Sequence, residues 1–167
     1  MKAANVMGVM GLAMVTATTL LAAEPAAEEQ EKEAQRAAEI RMTVQAICPV
    51  SGQKLGGHGK PVAVKIGEEE VYLCCKGCAK GKVDAKHWAT IHANFAKAQG
   101  ICPVMGHALP KDAKWTIVHG RIVYVCCPPC IKKIEAGPDP YLKKVDELYA
   151  ASLEKKEKDK KSKESEE

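Results

Sequence analysis

Eight cysteines stand in two blocks of sequence that repeat. "ICPVSG" at residues 47–52 returns as "ICPVMG" at 101–106, and "VYLCCKGC" at 71–78 returns as "VYVCCPPC" at 123–130. The first blocks are offset by 54 residues and the second by 52. Two matches in the same order at nearly constant offset are the mark of an internal duplication. Each copy carries four thiols: Cys48, Cys74, Cys75 and Cys78, then Cys102, Cys126, Cys127 and Cys130. Aromatic residues make up only 4% of the 167-residue chain, so one large core is not expected. Small units of this kind are held together by disulfides or metal ions.

The residues between the blocks predict the same local structure twice. "PVAVKIGEEEVYLCC" has β-prone runs on either side of Gly67, and "KWTIVHGRIVYVCC" has them around His119-Gly120. Both read as hairpins, with alternation in the second through Trp115, Ile117, Ile122 and Tyr124. A helix follows each cysteine cluster. "DAKHWATIHANFAKAQG" offers Asp84 as cap, Trp88, Ile91 and Phe95 as apolar face, and Gly100 as stop. "GPDPYLKKVDELYAASL" offers Asp139 as cap with Pro140 at the first helical position, and Leu142, Val145, Leu148 and Tyr149 as its face. The fold class expected is α+β. Two small Cys-rich modules, residues 47–100 and 101–153, each combine a turn, a hairpin, a cysteine cluster and a helix.

The flanks differ in character. Lys2, an apolar or small run over residues 6–21 and "LLAAEP" form the pattern of an export signal cleaved after Ala23. An uncleaved anchor is the alternative reading. Export implies a periplasmic or extracellular protein, with no membrane attachment once residues 1–23 are removed. Residues 24–46 are rich in Ala, Glu, Gln and Arg, and read as a charged helical linker outside the core. Residues 154–167, "EKKEKDKKSKESEE", hold nothing to bury and read as a disordered tail. The formal net charge is +4, with no basic segment interleaved with aromatics, so nucleic acid is not an expected partner.

The cysteine spacing narrows the chemistry. In each copy one thiol lies on a Pro-containing turn, and a close pair lies near the start of a helix. A hairpin between them can bring the chain back to the turn. This is how small metal modules gather thiolates, which favour Zn²⁺, Cu⁺ and related thiophilic ions. A helix N-terminus beside the pair stabilises the thiolate form.

The order "CPVSG…VYLCCKGC" and "CPVMG…VYVCCPPC" resembles the YHS module and its relative, the TRASH metal-binding module. In YHS domains a "DPVCGM"-like turn precedes a strand ending "YYFC", then a C-x-x-x-C cluster and an "F-x-x-DP-x-x-Y" stretch. Tyr72-Leu73-Cys74 and Tyr124-Val125-Cys126 match the strand end, and "IEAGPDPY" at 134–141 matches the last stretch. "KVDAKHW" at 82–88 is one residue short and lacks the proline. The resemblance spans about 47–88 and 101–141. It implies compact, treble-clef-like modules and a role in metal transport, resistance or sensing, with a protein of such a pathway as partner. The turn cysteine stands at the first position of "CPVSG" and "CPVMG", and the fourth position, cysteine in "DPVCGM", is Ser51 and Met105, so a complete C-x-x-C is absent from both turns. Three ligands per module carry over: Cys48, Cys74 and Cys78, then Cys102, Cys126 and Cys130. Cys75 and Cys127 are the simplest candidates for a fourth, with His58, His107 and, for Cu⁺, Met105 as alternatives. An incomplete set fits a transferable ion better than a permanent staple.

Two other readings of the thiols remain. An oxidising compartment permits a disulfide framework, and eight cysteines allow about 105 pairings. Cys75–Cys78 and Cys127–Cys130 are also C-x-x-C motifs, but no βαβ pattern supports thioredoxin-like redox work. No phosphate loop, Ser/His/Asp set or catalytic carboxylate pair is present, so an enzyme is not expected. His87 and His92 read as surface residues, the scarce aromatics as core, and Glu68–Glu70 as a solvated turn. The sequence thus favours an exported protein that coordinates zinc or copper ions through thiolates. A disulfide-stapled interaction protein is the alternative.

Overall fold

The structure, a computed structural model, describes residues 24–57 and 59–164. The export-signal reading and His58 lie outside these residues. The architecture is α+β. Its elements run α1 (Glu24–Gln45), β1 (Val62–Ile66), β2 (Glu69–Leu73), α2 (Ala85–Gln99), β3 (Lys114–Val118), β4 (Arg121–Val125), α3 (Pro128–Ala136) and α4 (Asp139–Glu164). A 3₁₀ turn, Lys76–Lys80, occupies the place that α3 holds in the second copy.

The two hairpins are separate two-stranded antiparallel sheets, with Val62 opposite Leu73 in the first and Lys114 opposite Val125 in the second. In the second, His119 and Gly120 form a two-residue turn with φ of 49° and 75°. Positive φ at both central residues gives the twist that matches paired strands. The hairpins touch at their tips, where Glu70 N–H donates to Gly120 C=O at 2.6 Å.

Helix α2 starts and stops where the sequence predicts. The Asp84 carboxylate accepts from the amides of Lys86 and His87, and Gly100 ends the helix in the left-handed conformation. Ile91 and Phe95 are buried on its inner face. Each contributes about 1.5–3 kcal/mol of burial, to the extent that it is exposed in the unfolded chain. The local difference between the two cysteine clusters follows from composition. "CPPC" puts Pro128 at the first position of α3, where proline's fixed φ favours a helix. "CKGCAKGK" has two glycines and forms only the 3₁₀ turn.

One core dominates. It joins α1, α2, α3 and α4 to the second hairpin through Val44, Ile91, Phe95, Val123, Val125, Ile134, Val145 and Tyr149. A smaller cluster in the first module contains Cys48, Leu73 and Cys74. The expected helical linker is therefore part of the fold: α1 packs on α2 and α4, and Val44 and Gln45 are buried. Its burial is confined to the last turns, which is why a weak apolar stripe in a charged segment understates it.

Other expectations also change. Residues expected to form a disordered tail continue α4 to Glu164, since Lys and Glu are good helix formers even with nothing to bury. Trp115 is 51% exposed rather than in the core, because the buried face of β3 is that of Thr116 and Val118. Glu69 is buried rather than solvated: it begins β2, and its carboxylate lies 3.0 Å from His92 Nε2 on α2. His92 is thereby a structural residue, wedged between Trp88 and Trp115 as well.

Candidate metal centres

Each centre begins at the end of a helix. α1 ends "VQA-ICPV" and α2 ends "AQG-ICPV". Ala46 and Gly100 take left-handed φ of 66° and 58° at the helix exit. The chain then folds into a tight turn closed by an isolated bridge, Ile47 to Lys54 in the first copy and Ile101 to Ala108 in the second. Within it the Gly52 amide donates to Cys48 C=O at 2.9 Å, and the Gly106 amide to Cys102 C=O at 2.8 Å.

Gln45 and Gln99 fix that turn to the hairpin. Gln45 Nε2 donates to Ile47 C=O at 2.9 Å and to Tyr72 C=O at 2.7 Å, while its Oε1 accepts from Tyr72 N–H at 2.8 Å. Gln99 repeats the pattern with Ile101 and Tyr124 at 2.9, 2.6 and 2.9 Å. Both side chains are buried. Each carboxamide acts as a short piece of backbone, holding the turn cysteine against the strand that ends in the next cysteine. The sequence reasoning missed these residues. The signal was available: "Q-[A/G]-I-C-P-V" precedes both turns, so the repeat starts before the first cysteine.

The strand ends then deliver Cys74 and Cys126, and the following turn or helix delivers Cys78 and Cys130. The sulfurs of Cys48, Cys74 and Cys78 lie within 4.8 Å of one another, as do those of Cys102, Cys126 and Cys130. Cys74 and Cys78 are 3.6 Å apart. Cys48, Cys74, Cys102 and Cys130 are buried, and Cys78 and Cys126 half-buried. Metal–thiolate bonds of about 2.3 Å place three sulfurs roughly 3.8–4.0 Å apart, so each triad needs only a small contraction to grip one ion.

The local electrostatics prepare the turn thiol. Burial opposes ionisation of Cys48, but the Ser51 hydroxyl and the amides of Ser51, Cys74 and Val50 outweigh it and lower the thiol to about 6. Burial likewise opposes ionisation of Cys102, and the amides of Cys126, Met105 and Val104 bring it down. The third thiol of each set moves the other way. Hydrogen bonding to Cys74, burial and the neighbouring Cys48 push Cys78 up to about 12, and burial with Cys127 and Cys102 raises Cys130. One thiolate per triad is thus favoured before an ion arrives, and the negative charge it carries holds a proton on its neighbour.

Cys75 and Cys127 fall outside the triads. Cys75 Sγ lies 4.0 Å from Cys74 Sγ and 3.9 Å from Cys78 Sγ. Cys127 Sγ lies 3.9 Å from Cys126 Sγ and 3.0 Å from Cys130 Sγ. All eight thiols are free, and these separations exceed the ~2.05 Å of a disulfide. Neither His87 nor His107 joins a group. His87 instead packs against the first turn at Gly52, whereas the space beside Gly106 in the second turn is open. Met105 is 48% exposed.

No protein-family model, curated protein or solved structure matches this chain. Among the described residues no helix is long and apolar enough to cross a membrane.

Proposed function

We propose that this chain is an exported, non-enzymatic metal-binding protein that carries a thiophilic ion of the zinc or copper class at each of its two duplicated sites. The observation that carries this reading is the paired triads, Cys48/Cys74/Cys78 and Cys102/Cys126/Cys130, whose sulfurs lie within 4.8 Å in both copies. Three soft donors converge from a tight turn, a strand end and a helix start, as the treble-clef-like YHS and TRASH modules would arrange them. The triads fit Cu⁺, which accepts three thiolates, and Zn²⁺ with a fourth position left for an incoming ligand. An open position suits sequestration followed by delivery to a transport or resistance protein.

Binding replaces thiol protons by the ion, so loading releases protons and weakens in acid. Amides around Cys48 and Cys102 compensate the thiolate charge in the same place where the ion adds its own. The second reading, a disulfide-stapled interaction protein, draws on the close approach of Cys127 and Cys130 at 3.0 Å.

One experiment separates them. The mature protein is purified from its native compartment, and free thiols and bound metal are counted together. About one ion per triad, lost when Cys74 and Cys126 are replaced by serine, is the expected result. Blocked thiols with no metal would overturn the metal reading.

A further inference from the structure

We infer that Cys75 and Cys127 are relay thiols: they move the ion from the buried triad to the protein surface and are not needed to hold it. The inference rests on the metal reading above and adds the route by which the ion leaves.

The geometry is the same in both copies. Cys75 and Cys127 sit in extended backbone, with φ/ψ of −161°/167° and −157°/153°. The fourth thiol nevertheless lies within 4.0 Å of two members of its triad, Cys75 beside Cys74 and Cys78, and Cys127 beside Cys126 and Cys130. Only the turn cysteine, Cys48 or Cys102, is beyond its reach, so it flanks the triad without joining it. Three residues on, the chain has turned back, and Cys78 or Cys130 faces both ways. Cys78 belongs to the triad and also lies 3.9 Å from Cys75; Cys130 belongs to the triad and also lies 3.0 Å from Cys127.

Burial gives this arrangement a direction. Cys48 and Cys102 are wholly buried, whereas Cys75 and Cys127, like the triad members Cys78 and Cys126, are half-buried. An ion leaving the buried Cys102 moves toward the partly exposed side of the cluster, where Cys127 stands as a further thiol. With Cys130 as pivot, a bond from the ion to Cys127 sulfur forms while the bond to Cys102 sulfur breaks. The Cys127 proton departs to solvent, and the released Cys102 thiolate can take one up. No electron changes hands, and the ion is never bare. The bond to Cys126 sulfur breaks next, that thiolate taking up a proton in turn, and the ion rests on the Cys127–Cys130 pair, open to an incoming ligand. A permanent structural site has no use for such a thiol, and a mere spacer would not place its sulfur beside the same triad member twice.

The test uses the full mature chain, reduced and kept anaerobic, loaded with Cu⁺. The wild type is compared with the double variant Cys75→Ser/Cys127→Ser. Equilibrium affinity is measured by competition, and transfer to an excess chromophoric Cu⁺ chelator is followed by stopped flow. The expected result is an affinity within about threefold of wild type, transfer slowed by about tenfold or more, and partial recovery of the rate on adding glutathione as an external thiol. A thermal melt of the apo variant matching wild type shows that the fold is kept. Equal transfer rates in the two proteins would overturn the relay while leaving the metal sites standing. A loss of affinity beyond about tenfold would make these thiols ligands and overturn it also. Failure of the wild type itself to take up Cu⁺ or Zn²⁺ would overturn the metal reading, and the relay with it.

Discussion

The Gln99 carboxamide grips both main-chain groups of Tyr124: Tyr124 N–H donates to Oε1 at 2.9 Å, and Nε2 donates to Tyr124 C=O at 2.6 Å. The same amide also donates to Ile101 C=O, so one side chain ties the helix end, the Cys102 turn and β4 together. Gln99→Ala leaves buried backbone groups without partners, at about 1–3 kcal/mol each. Urea denaturation of the apo protein is expected to show a loss of at least about 3 kcal/mol. Gln99→Glu keeps the size but replaces the donor with an acceptor facing two carbonyls, and is expected to do no better. A change under about 0.5 kcal/mol would show that the grip is not what fixes the turn.

Ala46 and Gly100 occupy equivalent helix exits, and only one of them is a glycine. Left-handed backbone costs a residue with a Cβ about 1 kcal/mol relative to glycine. Ala46→Gly is therefore expected to raise stability by up to about 1 kcal/mol, and Gly100→Ala to lower it by a similar amount. A Cβ at Gly100 would meet nothing closer than Lys97 O at 3.6 Å, so the cost there is conformational and not steric. Opposite signs in paired thermal melts would confirm that the repeat begins in the helices.

How the sequence disclosed this fold follows from what repeats. The hairpins, Asp84 as the α2 cap, Gly100 as its stop and the triad members could be read, because turn residues and cysteine spacing are local signals. Gln45 and Gln99 are not legible in the same way, because a glutamine near a helix end has many solvated uses, and only the tertiary contact to Tyr72 or Tyr124 distinguishes this one. The burial of Glu69 was equally hidden. "EEE" reads as solvent, and its middle residue is drawn in by His92 from a helix 23 residues away. The core contact of α1 is masked because its charged outer length outweighs the few residues, Val44 and Gln45 among them, that are buried.

Arg121 and Asp146 join β4 to α4 through a two-pronged ion pair, with Nη1 donating to Oδ2 at 2.9 Å and Nη2 to Oδ1. Both side chains are mostly shielded, so solvent screening weakens the pair less than it would on an open surface. Asp146→Ala leaves the guanidinium half-buried without its carboxylate. A loss of about 1.5–3 kcal/mol in chemical denaturation is expected, with metal stoichiometry unchanged. Recovery by a second change, Arg121→Met, would show that the cost lies in the stranded charge.

Acid should unload the first site in a way that identifies Cys48. Its folded value lies near 6, below the ordinary thiol value of 9.0. A lowered value means that the folded chain favours the thiolate. The resulting stabilisation of the apo protein is complete above the ordinary thiol range and lost as pH falls through about 6. For binding, Cys48 gives up no proton to the ion while it is already ionised. Below about 6 it must, so the slope of log affinity against pH is expected to steepen there by about one proton. The measurement is a competition titration at a series of pH values on Cys126→Ser, which leaves the first triad intact. Ser51 supplies both a hydroxyl and an amide to the Cys48 thiolate, and its Oγ also lies 3.4 Å from Cys74 Sγ. Ser51→Ala removes the hydroxyl alone and is expected to move the break to higher pH. A slope that stays constant through the acid range, or a break indifferent to Ser51, would show that the turn does not prepare its cysteine for the ion.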